Sequence, residues 1–164
     1  MEQAADVRAR ALRTMWHRRR VITALDAESL ADCVSLYVDT FNAPPWDESW
    51  SPDDALLRLN DFLATPRSTG LCLWGSERER DLQGFVLGHL ERSGADDHFL
   101  IQEMCVRRTL QRQGHGTRLL EALAEALPSV NHWYLLTARD SEASSFYERN
   151  GFRPARRQGV FVRP

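Results

Sequence analysis

The sequence contains no lysine, and all 21 of its Lys and Arg positions are arginine. This absence excludes Schiff-base chemistry and any mechanism with a lysine nucleophile. It also excludes a P-loop, since the GxxxxGK[ST] pattern needs a lysine to reach the phosphates. The formal net charge is −2 over 164 residues, so the overall charge gives no reason to expect a nucleic-acid partner.

Cysteine is scarce, and Cys33, Cys72 and Cys105 lie far apart in the chain. Their odd number and wide spacing suit neither a disulfide framework nor a zinc site, and the five histidines show no metal-ligand spacing. We therefore expect buried free thiols, no metal, and a reducing, cytoplasmic compartment. Long apolar runs and an apolar N-terminal core are also missing, so we expect neither a membrane span nor a secretory leader.

Residues 1–20 contain six arginines, with apolar residues at roughly helical spacing between them. We expect an N-terminal extension, either a short helix or a mobile arm, ahead of one domain over 21–164. A transit peptide is an alternative, although Glu2, Asp6 and the lack of serine count against it. An arm that contacts nucleic acid is a second alternative, and a solvated charged face is the simpler interpretation.

Hydrophobic periodicity and turn residues predict ten elements. Helices are expected over about 27–41, 52–64, 114–127 and 141–150, where apolar residues recur on one face or a capping signal precedes the segment. Strands are expected at 21–25, 70–74, 82–91, 98–106, 133–137 and 158–162. The resulting order, β-α-α-β-β-β-α-β-α-β, is an α/β (α+β) mixture on one sheet.

The segment 99–120 combines a strand, a glycine-bearing turn and the start of a helix. The first helical N–H groups have no intrahelical partner, and the helix dipole favours an anion there. Gly114 and Gly116 remove Cβ atoms that would keep a phosphate from the main chain. Thr117 adds a hydroxyl, and Arg112 adds charge with a donor fork suited to phosphate. We expect a phosphate or pyrophosphate cradle; the alternative is that the glycines serve only a tight turn.

Two blocks of this sequence resemble one known family. Val106, four residues and then Gln111-x-x-Gly114-x-Gly116 resembles the pyrophosphate loop of GCN5-related N-acetyltransferases (GNAT), which lies between the fourth strand and the third helix of that family. The block 140–152, ending in Phe-Tyr-x-x-x-Gly-Phe, is similar to the family's late helix. The resemblance covers about 21–162. It implies a mixed, mostly antiparallel sheet with helices on both faces and acetyl-CoA as co-substrate.

The resemblance also implies direct acetyl transfer to a primary amine within a ternary complex. Tyr147 is then the expected acid for the leaving thiolate, with a core aromatic as the alternative. Glu103 is the expected base, directly or through water, because burial among apolar strand residues raises a carboxyl pKa. An edge or solvent-facing charge is its alternative. Strand alternation places Glu103 on one face with Ile101 and Cys105, opposite Met104.

The expected contacts with acetyl-CoA include main-chain groups at the end of the strand, where the Met104 or Cys105 amide serves the oxyanion. Gln113 stands where the family often has a basic residue, so a weaker phosphate grip is expected. Asp140 stands where the family often has Asn, which leaves open a side-chain contact near the thiol end of the cofactor. The full expected set is Met104, Cys105, Val106, Gln111, Arg112, Gln113, Gly114, His115, Gly116, Thr117, Asp140 and Ser144.

The acceptor is expected between the first two helices, at Trp46, Asp47, Glu48 and Trp50. Acids attract ammonium groups and Trp faces bind cations, so a small cationic amine is expected. The Pro-Pro-Trp-Asp-Glu-x-Trp run is similar to that of uncharacterised bacterial members, some resembling aminoglycoside 6′-N-acetyltransferases. A core role is the alternative for the two Trp residues, and helix capping explains the neighbouring Asp53 and Asp54. A protein N-terminus as acceptor, a non-catalytic acyl-CoA-binding or regulatory module, and a homodimer also stay open.

Overall fold

The computed structural model describes residues 22–75 and 81–163, so the expected N-terminal extension over 1–20 lies outside the described residues. Within the described ranges, no helix is both long enough and apolar enough to cross a membrane. The elements in chain order are β1 (Ile22–Ala24), α1 (Leu30–Phe41), α2 (Pro52–Ala64), β2 (Ser68–Trp74), β3 (Leu82–Ser93), β4 (Asp96–Val106), a 3-10 turn (Arg108–Leu110), α3 (His115–Ala126), β5 (His132–Leu135) and α4 (Glu142–Arg149).

The five strands form one sheet in the order β1-β2-β3-β4-β5. Pairing is antiparallel from β1 through β4, and a short turn between Ser93 and Asp96 joins β3 to β4. β5 follows the α3 crossover and pairs with β4 in parallel. This mixed, mostly antiparallel sheet confirms the predicted fold class.

Two apolar cores cover the two faces of the sheet. α1 and α2 pack on one face against strand residues that include Phe85 and Leu87. α3 packs on the other face, where Leu119 and Leu123 meet Phe99. All of these side chains are fully buried, and each contributes about 1.5–3 kcal/mol through removal of apolar surface from water. The helices therefore lie on both faces, as expected.

The three cysteines all belong to the core beneath α1 and α2. Each is buried and carries a free thiol. The sulfur atoms of Cys33 and Cys72 lie 3.7 Å apart, which is the distance of a weak hydrogen bond between two thiols and not of a disulfide. Burial raises the pKa of the Cys105 thiol to about 12, so this thiol is neutral and serves packing.

A β-bulge interrupts β4 in its middle. Leu87 pairs with Glu103 and the next residue, Gly88, pairs with Ile101, so Gln102 is an extra residue on β4. An extra residue reverses the alternation of side chains beyond it. Ile101 consequently packs in the α3 core, whereas Glu103 and Cys105 face α1 and α2. The expectation that Ile101 shares a face with Glu103 is therefore wrong. The expectation that Cys105 shares a face with Glu103 is confirmed.

The strand expected at 158–162 is not formed. Residues 153–163 contain neither helix nor strand. Val160, Phe161 and Val162 are exposed, Phe161 by 96%. Gly159 and the arginines before it leave only three consecutive apolar residues, too few to bury one face against the sheet.

Candidate active site

β4 and β5 pair only over part of their length. The ladder runs from His98 opposite His132 to Ile101 opposite Leu135 and then stops. β5 ends at Leu135, while β4 continues past the bulge to Val106. Over 102–106, the edge of β4 that faces away from β3 therefore has no strand partner among the described residues. We call this unpaired stretch the free edge of β4.

The hydrogen bonds between β4 and β3 show which β4 amides point to the free edge. The Arg107 N–H donates to the Gln83 carbonyl of β3 at 2.8 Å. By alternation, the Cys105 amide also faces β3, and the amides of Met104 and Val106 point away from β3, at the free edge. An extended thioester arm can pair with such an edge as an added strand. Of the two amides expected to serve the oxyanion, Met104 is the one with the suitable direction.

The entrance of α3 lies at the end of the same strand. Gly114 is the N-cap, with φ at +82°, and no side chain caps the first turn of the helix. A Cβ at Gly114 would meet nothing within 4 Å, so the glycine is needed for its left-handed conformation and not for space. The main-chain N–H groups of His115, Gly116 and Thr117 are thus available at the positive end of the helix dipole. This entrance fits a diphosphate.

Gly116 has a packing role that the sequence did not predict. A Cβ there would lie 2.8 Å from Cζ of Phe146 on α4 and 3.3 Å from Cε of Met104. The missing side chain therefore allows the Phe146 ring to pack on the first turn of α3. The close approach of α4 is what the second glycine of the motif accommodates in this structure.

The polar side chains of the loop mostly bond within it. Gln111 and Gln113 donate to carbonyls of preceding residues at 3.1 and 3.0 Å, which holds the turn in shape. Arg112, with φ at +62°, forms an ion pair with Glu142 in the first turn of α4. Both side chains of that pair are largely exposed, so a bound anion can compete for the arginine.

Two further expected cofactor residues begin α4. Ser141 is the N-cap and forms a capping box with Ser144. The Ser144 hydroxyl accepts from the Ser141 N–H and donates to the Ser141 carbonyl, each at 2.9 Å. Asp140 precedes the cap, is exposed, and has φ at +51°. The Ser144 hydroxyl is thus bonded within the helix cap.

Glu103 is buried, with 8% of its surface exposed, on the face covered by α1 and α2. Arg58 of α2 donates to its Oε1 through Nε at 2.7 Å, and Arg58 Nη2 lies at the same distance. The Tyr37 hydroxyl of α1 lies 3.5 Å from the same oxygen. Burial raises the pKa of Glu103 above its usual range, and the Arg58 guanidinium offsets part of that rise.

Tyr147 is half-buried on α4, between the rings of Phe146 at 5.1 Å and Phe152 at 5.5 Å. Its hydroxyl forms no hydrogen bond with the described residues. Burial raises the pKa of Tyr147 to about 12, and the nearby Glu103 charge adds to the rise. The phenol is therefore protonated throughout the neutral range and is able to donate.

The loop between α1 and α2 carries the expected acceptor residues. Asn42 fixes its two ends together, because the side chain donates to the Trp50 carbonyl at 2.9 Å and accepts from the Trp50 N–H at 2.7 Å. The Trp50 ring packs edge-on against Tyr37, with centroids 5.3 Å apart, and its indole N–H donates to Glu48. The structure thus brings Glu48 and Trp50 to the cluster around Glu103.

The other two expected acceptor residues lie further out. Trp46 packs on Phe41 with ring centroids 5.5 Å apart, and Asp47 is exposed with φ at +49°. No contact joins either of them to Glu103 within the described part of the chain. An open depression of about 570 Å³ lies beside the loop and is lined by Glu48, Ser49, Trp50, Asp54 and Leu57.

Arg58 and Tyr37 were not predicted from the sequence. In the sequence, Tyr37 lies on the apolar stripe of α1, and no motif distinguishes Arg58 on α2. The signal was Glu103 itself, because a carboxylate buried in a strand needs a charged or hydrogen-bonding partner. The sequence does not show which of the 21 arginines supplies it.

Comparisons with known proteins agree with this architecture. A family model described as an acetyltransferase (GNAT) domain matches residues 70–154, just over half of the chain. A probable acetyltransferase of known structure superposes with a TM-score of 0.71 at 21% identity, over 87% of this chain and 96% of the other. The apo aminoglycoside 6′-N-acetyltransferase AAC(6′)-IG of Acinetobacter haemolyticus gives 0.64 at 17%, over 87% and 97%.

The aminoglycoside N-acetyltransferase AAC(6′)-Iy, solved in complex with CoA, gives a TM-score of 0.65 at 12% identity, over 87% of this chain and 93% of that one. Identities this low establish the shared fold alone. No curated protein matches the sequence significantly. Among the described residues, no group of three or more His, Cys, Asp or Glu side chains is arranged to hold a metal ion. The family-model match decides the assignment: the chain belongs to the GNAT acetyltransferase family, whose members use acetyl-CoA as co-substrate.

Proposed function

We propose that this chain transfers the acetyl group of acetyl-CoA to a primary amine of a small, cationic acceptor, by direct attack within a ternary complex. The observation that carries the proposal is the position of Glu103. Its buried carboxylate lies directly beyond the bulge, where the free edge of β4 begins, and its partners Tyr37 and Arg58 both contact Trp50 of the α1–α2 loop. This position supports a base that acts between a thioester-binding edge and an acidic, aromatic surface.

The residues divide the chemistry among them. Glu103 takes a proton from the acceptor ammonium, directly or through water, and leaves a neutral amine. That amine attacks the thioester carbonyl carbon, and the Met104 amide donates to the carbonyl oxygen as negative charge develops there. The bond between carbon and sulfur breaks, and Tyr147 supplies a proton to the departing sulfur. The nitrogen of the new amide loses its extra proton, which returns Tyr147 to its protonated form.

Acetyl-CoA binding is assigned to two main-chain surfaces. The pantetheine arm pairs with β4 at 104–106, and the diphosphate lies at the entrance of α3, against 114–117. Gln111 and Gln113 maintain the turn between these surfaces, and Arg112 is released from Glu142 to reach a phosphate. Ser144 and Asp140 support the site through the start of α4. The left-handed Gly114 and the uncapped first turn support this assignment.

The acceptor class follows from the charges of the loop. Glu48 and Asp54 line the open depression together with the Trp50 ring, so a positively charged group is attracted and an apolar one can stack. Two of the structural relatives are named as acetyltransferases of aminoglycosides, which carry several ammonium groups. We extend this to a cationic, multi-amine acceptor for the present chain.

The test is a thiol-release assay with acetyl-CoA over a panel of aminoglycosides, polyamines, amino-acid-like amines and N-terminal peptides. We expect turnover with polycationic small amines. Turnover confined to peptides would favour protein N-termini as the acceptor. Tight acetyl-CoA binding with no turnover across the panel would favour a non-catalytic acyl-CoA-binding module and contradict the proposal.

A matched pair of variants tests the acid. Tyr147→Phe is expected to lower kcat by about 100-fold or more, with little change in the KM for acetyl-CoA, because only the transferable proton is lost. Tyr134→Phe is the control. Its hydroxyl also has a pKa raised to about 12 by burial and by Glu91, but it bonds to Glu91 at the far end of the sheet. An equal loss of kcat in both variants would contradict the role of Tyr147.

A further inference from the structure

Arg58 is held in one orientation by the groups around it. It projects from α2 with its guanidinium carbon 5.4 Å from the Trp50 ring centroid and 4.9 Å from that of Phe62. The faces of these rings attract the cation and restrict its rotation. From this position Nε and Nη2 both lie 2.7 Å from a single oxygen, Oε1 of Glu103.

The second oxygen of Glu103 is left for a substrate. The Tyr37 hydroxyl also approaches Oε1, at 3.5 Å, so both neighbouring side chains use the same oxygen. Oε2 has no hydrogen bond with the described residues. It is also not among the fully buried polar atoms without a partner, which are His89 Nδ1 and Arg107 Nε, so solvent or an acceptor can reach it.

Arg58 is the cation closest to Glu103 among the charged and titratable groups that face it. Tyr37 of α1, Tyr147 of α4 and Cys105 of β4 itself are all neutral, because burial raises the pKa of each. Glu48 of the loop is negative and disfavours a second negative charge. Burial and Glu48 thus act together against ionisation of Glu103, and Arg58 opposes both.

We propose that Arg58 is a positioning residue for the reaction, which keeps Glu103 ionised and turns its free Oε2 toward the acceptor ammonium. The inference rests on the proposed function in taking Glu103 as the base. Arginine suits this role because it stays charged at every working pH and offers two donors from one rigid plane. Lysine at the same position would keep the charge and lose the fixed pair of donors.

Direct titration of Glu103 tests the inference without any need for turnover. Protein with ¹³C-labelled glutamate carboxyls is titrated by NMR, and the Glu103 signal is identified by its loss in Glu103→Gln. In Arg58→Met we expect the Glu103 midpoint to rise by roughly one to three pH units, because an opposite charge at this distance has been removed. Arg58→Lys should give an intermediate midpoint.

Arg92→Met is the matched control, since Arg92 lies 3.6 Å from Asp97 in an exposed ion pair at the far end of β3. In Arg92→Met, the pH midpoint of the Glu103 titration should equal that of the wild type. An unchanged midpoint in Arg58→Met overturns the inference. If Arg58→Met does not fold, Arg58→Lys decides, because a midpoint equal to the wild type would also overturn it.

The pH profile of kcat/KM then separates this inference from the proposed function. With Glu103 as base, activity falls as the pH drops through its midpoint, and that acid limb should move upward in Arg58→Met by the same amount as the NMR midpoint. Glu103→Gln should lack the limb. A midpoint that moves while the limb stays fixed overturns the role of Arg58 in the reaction and the assignment of the base together. A Glu103 midpoint that stays at the wild-type value in Arg58→Met, with an acid limb that still coincides with it and is absent from Glu103→Gln, overturns the role of Arg58 alone.

Discussion

Single residues of the glycine motif do different work, although the sequence presents them as one pattern. Gly114 has open space where a Cβ would stand and a left-handed conformation that other residues adopt only with strain. Gly116 has an ordinary helical conformation and a crowded Cβ position against Phe146. Only the first of these two glycines shapes the helix entrance directly.

Gly114→Val is expected to weaken acetyl-CoA binding by more than tenfold, because a β-branched residue forces the entrance amides out of alignment. The strain itself should cost about 1–2 kcal/mol of stability. Gly94→Val is the control: Gly94 also has a positive φ, +64°, and open space, but it lies in the turn between β3 and β4. Isothermal titration calorimetry measures the Kd for acetyl-CoA in both variants. Wild-type affinity in Gly114→Val would show that the entrance does not bind the diphosphate.

At the scale of elements, local signals carried most of the prediction. Helix and strand positions follow from periodicity, and the Ser51-Pro52 start and the late helix were located because capping depends on neighbours in sequence. The bulge was missed because Gln102 differs in no local property from a regular strand residue, and only its pairing with β3 reveals it. The pairing of Glu103 with Arg58 was missed for the same reason, since 45 residues separate the two.

The loop between α1 and α2 depends on one side chain for its shape. Asn42 joins both polar groups of the Trp50 main chain, and Trp50 in turn contacts Glu48, Tyr37 and Arg58. A loop held in this way keeps its acidic and aromatic groups in place before the acceptor arrives, which lowers the ordering cost of binding.

Asn42→Ala is expected to raise the KM for the acceptor roughly tenfold and to leave the Kd for acetyl-CoA unchanged. Two hydrogen bonds of about 0.5–1.5 kcal/mol each are lost, and the loop no longer presents Glu48 and Trp50 together. Asn60→Ala provides the control, because Asn60 is exposed on α2. Steady-state kinetics with each substrate varied in turn make the comparison. A rise in the acetyl-CoA Kd instead would place this loop on the cofactor side.

At the scale of the whole molecule, β4 is shared by the two proposed half-sites, one for the cofactor and one for the acceptor. Beyond the bulge, Met104 packs toward α3, whereas Glu103 faces α1 and α2. Adjacent residues of one strand thus belong to opposite faces of the sheet. In the proposed function, the edge of β4 and the start of α3 form the cofactor side, and the α1–α2 loop forms the acceptor side. Such an arrangement lets each substrate bind through its own surface and meet at one strand.

Saturating acetyl-CoA should therefore raise the melting temperature without any acceptor. A ligand at 100 times its Kd adds about 2.7 kcal/mol to the free energy of unfolding, which for a chain of this size corresponds to a rise of roughly 5–10 °C. Asn42→Ala should keep the full rise, since its defect lies on the acceptor side, and Gly114→Val, with a Kd more than tenfold higher, should keep about half of it or less. Differential scanning calorimetry at matched ratios of ligand to wild-type Kd measures all three. A rise lost equally in both variants would mean that the two half-sites fold as one unit, and the division of labour across β4 would be wrong.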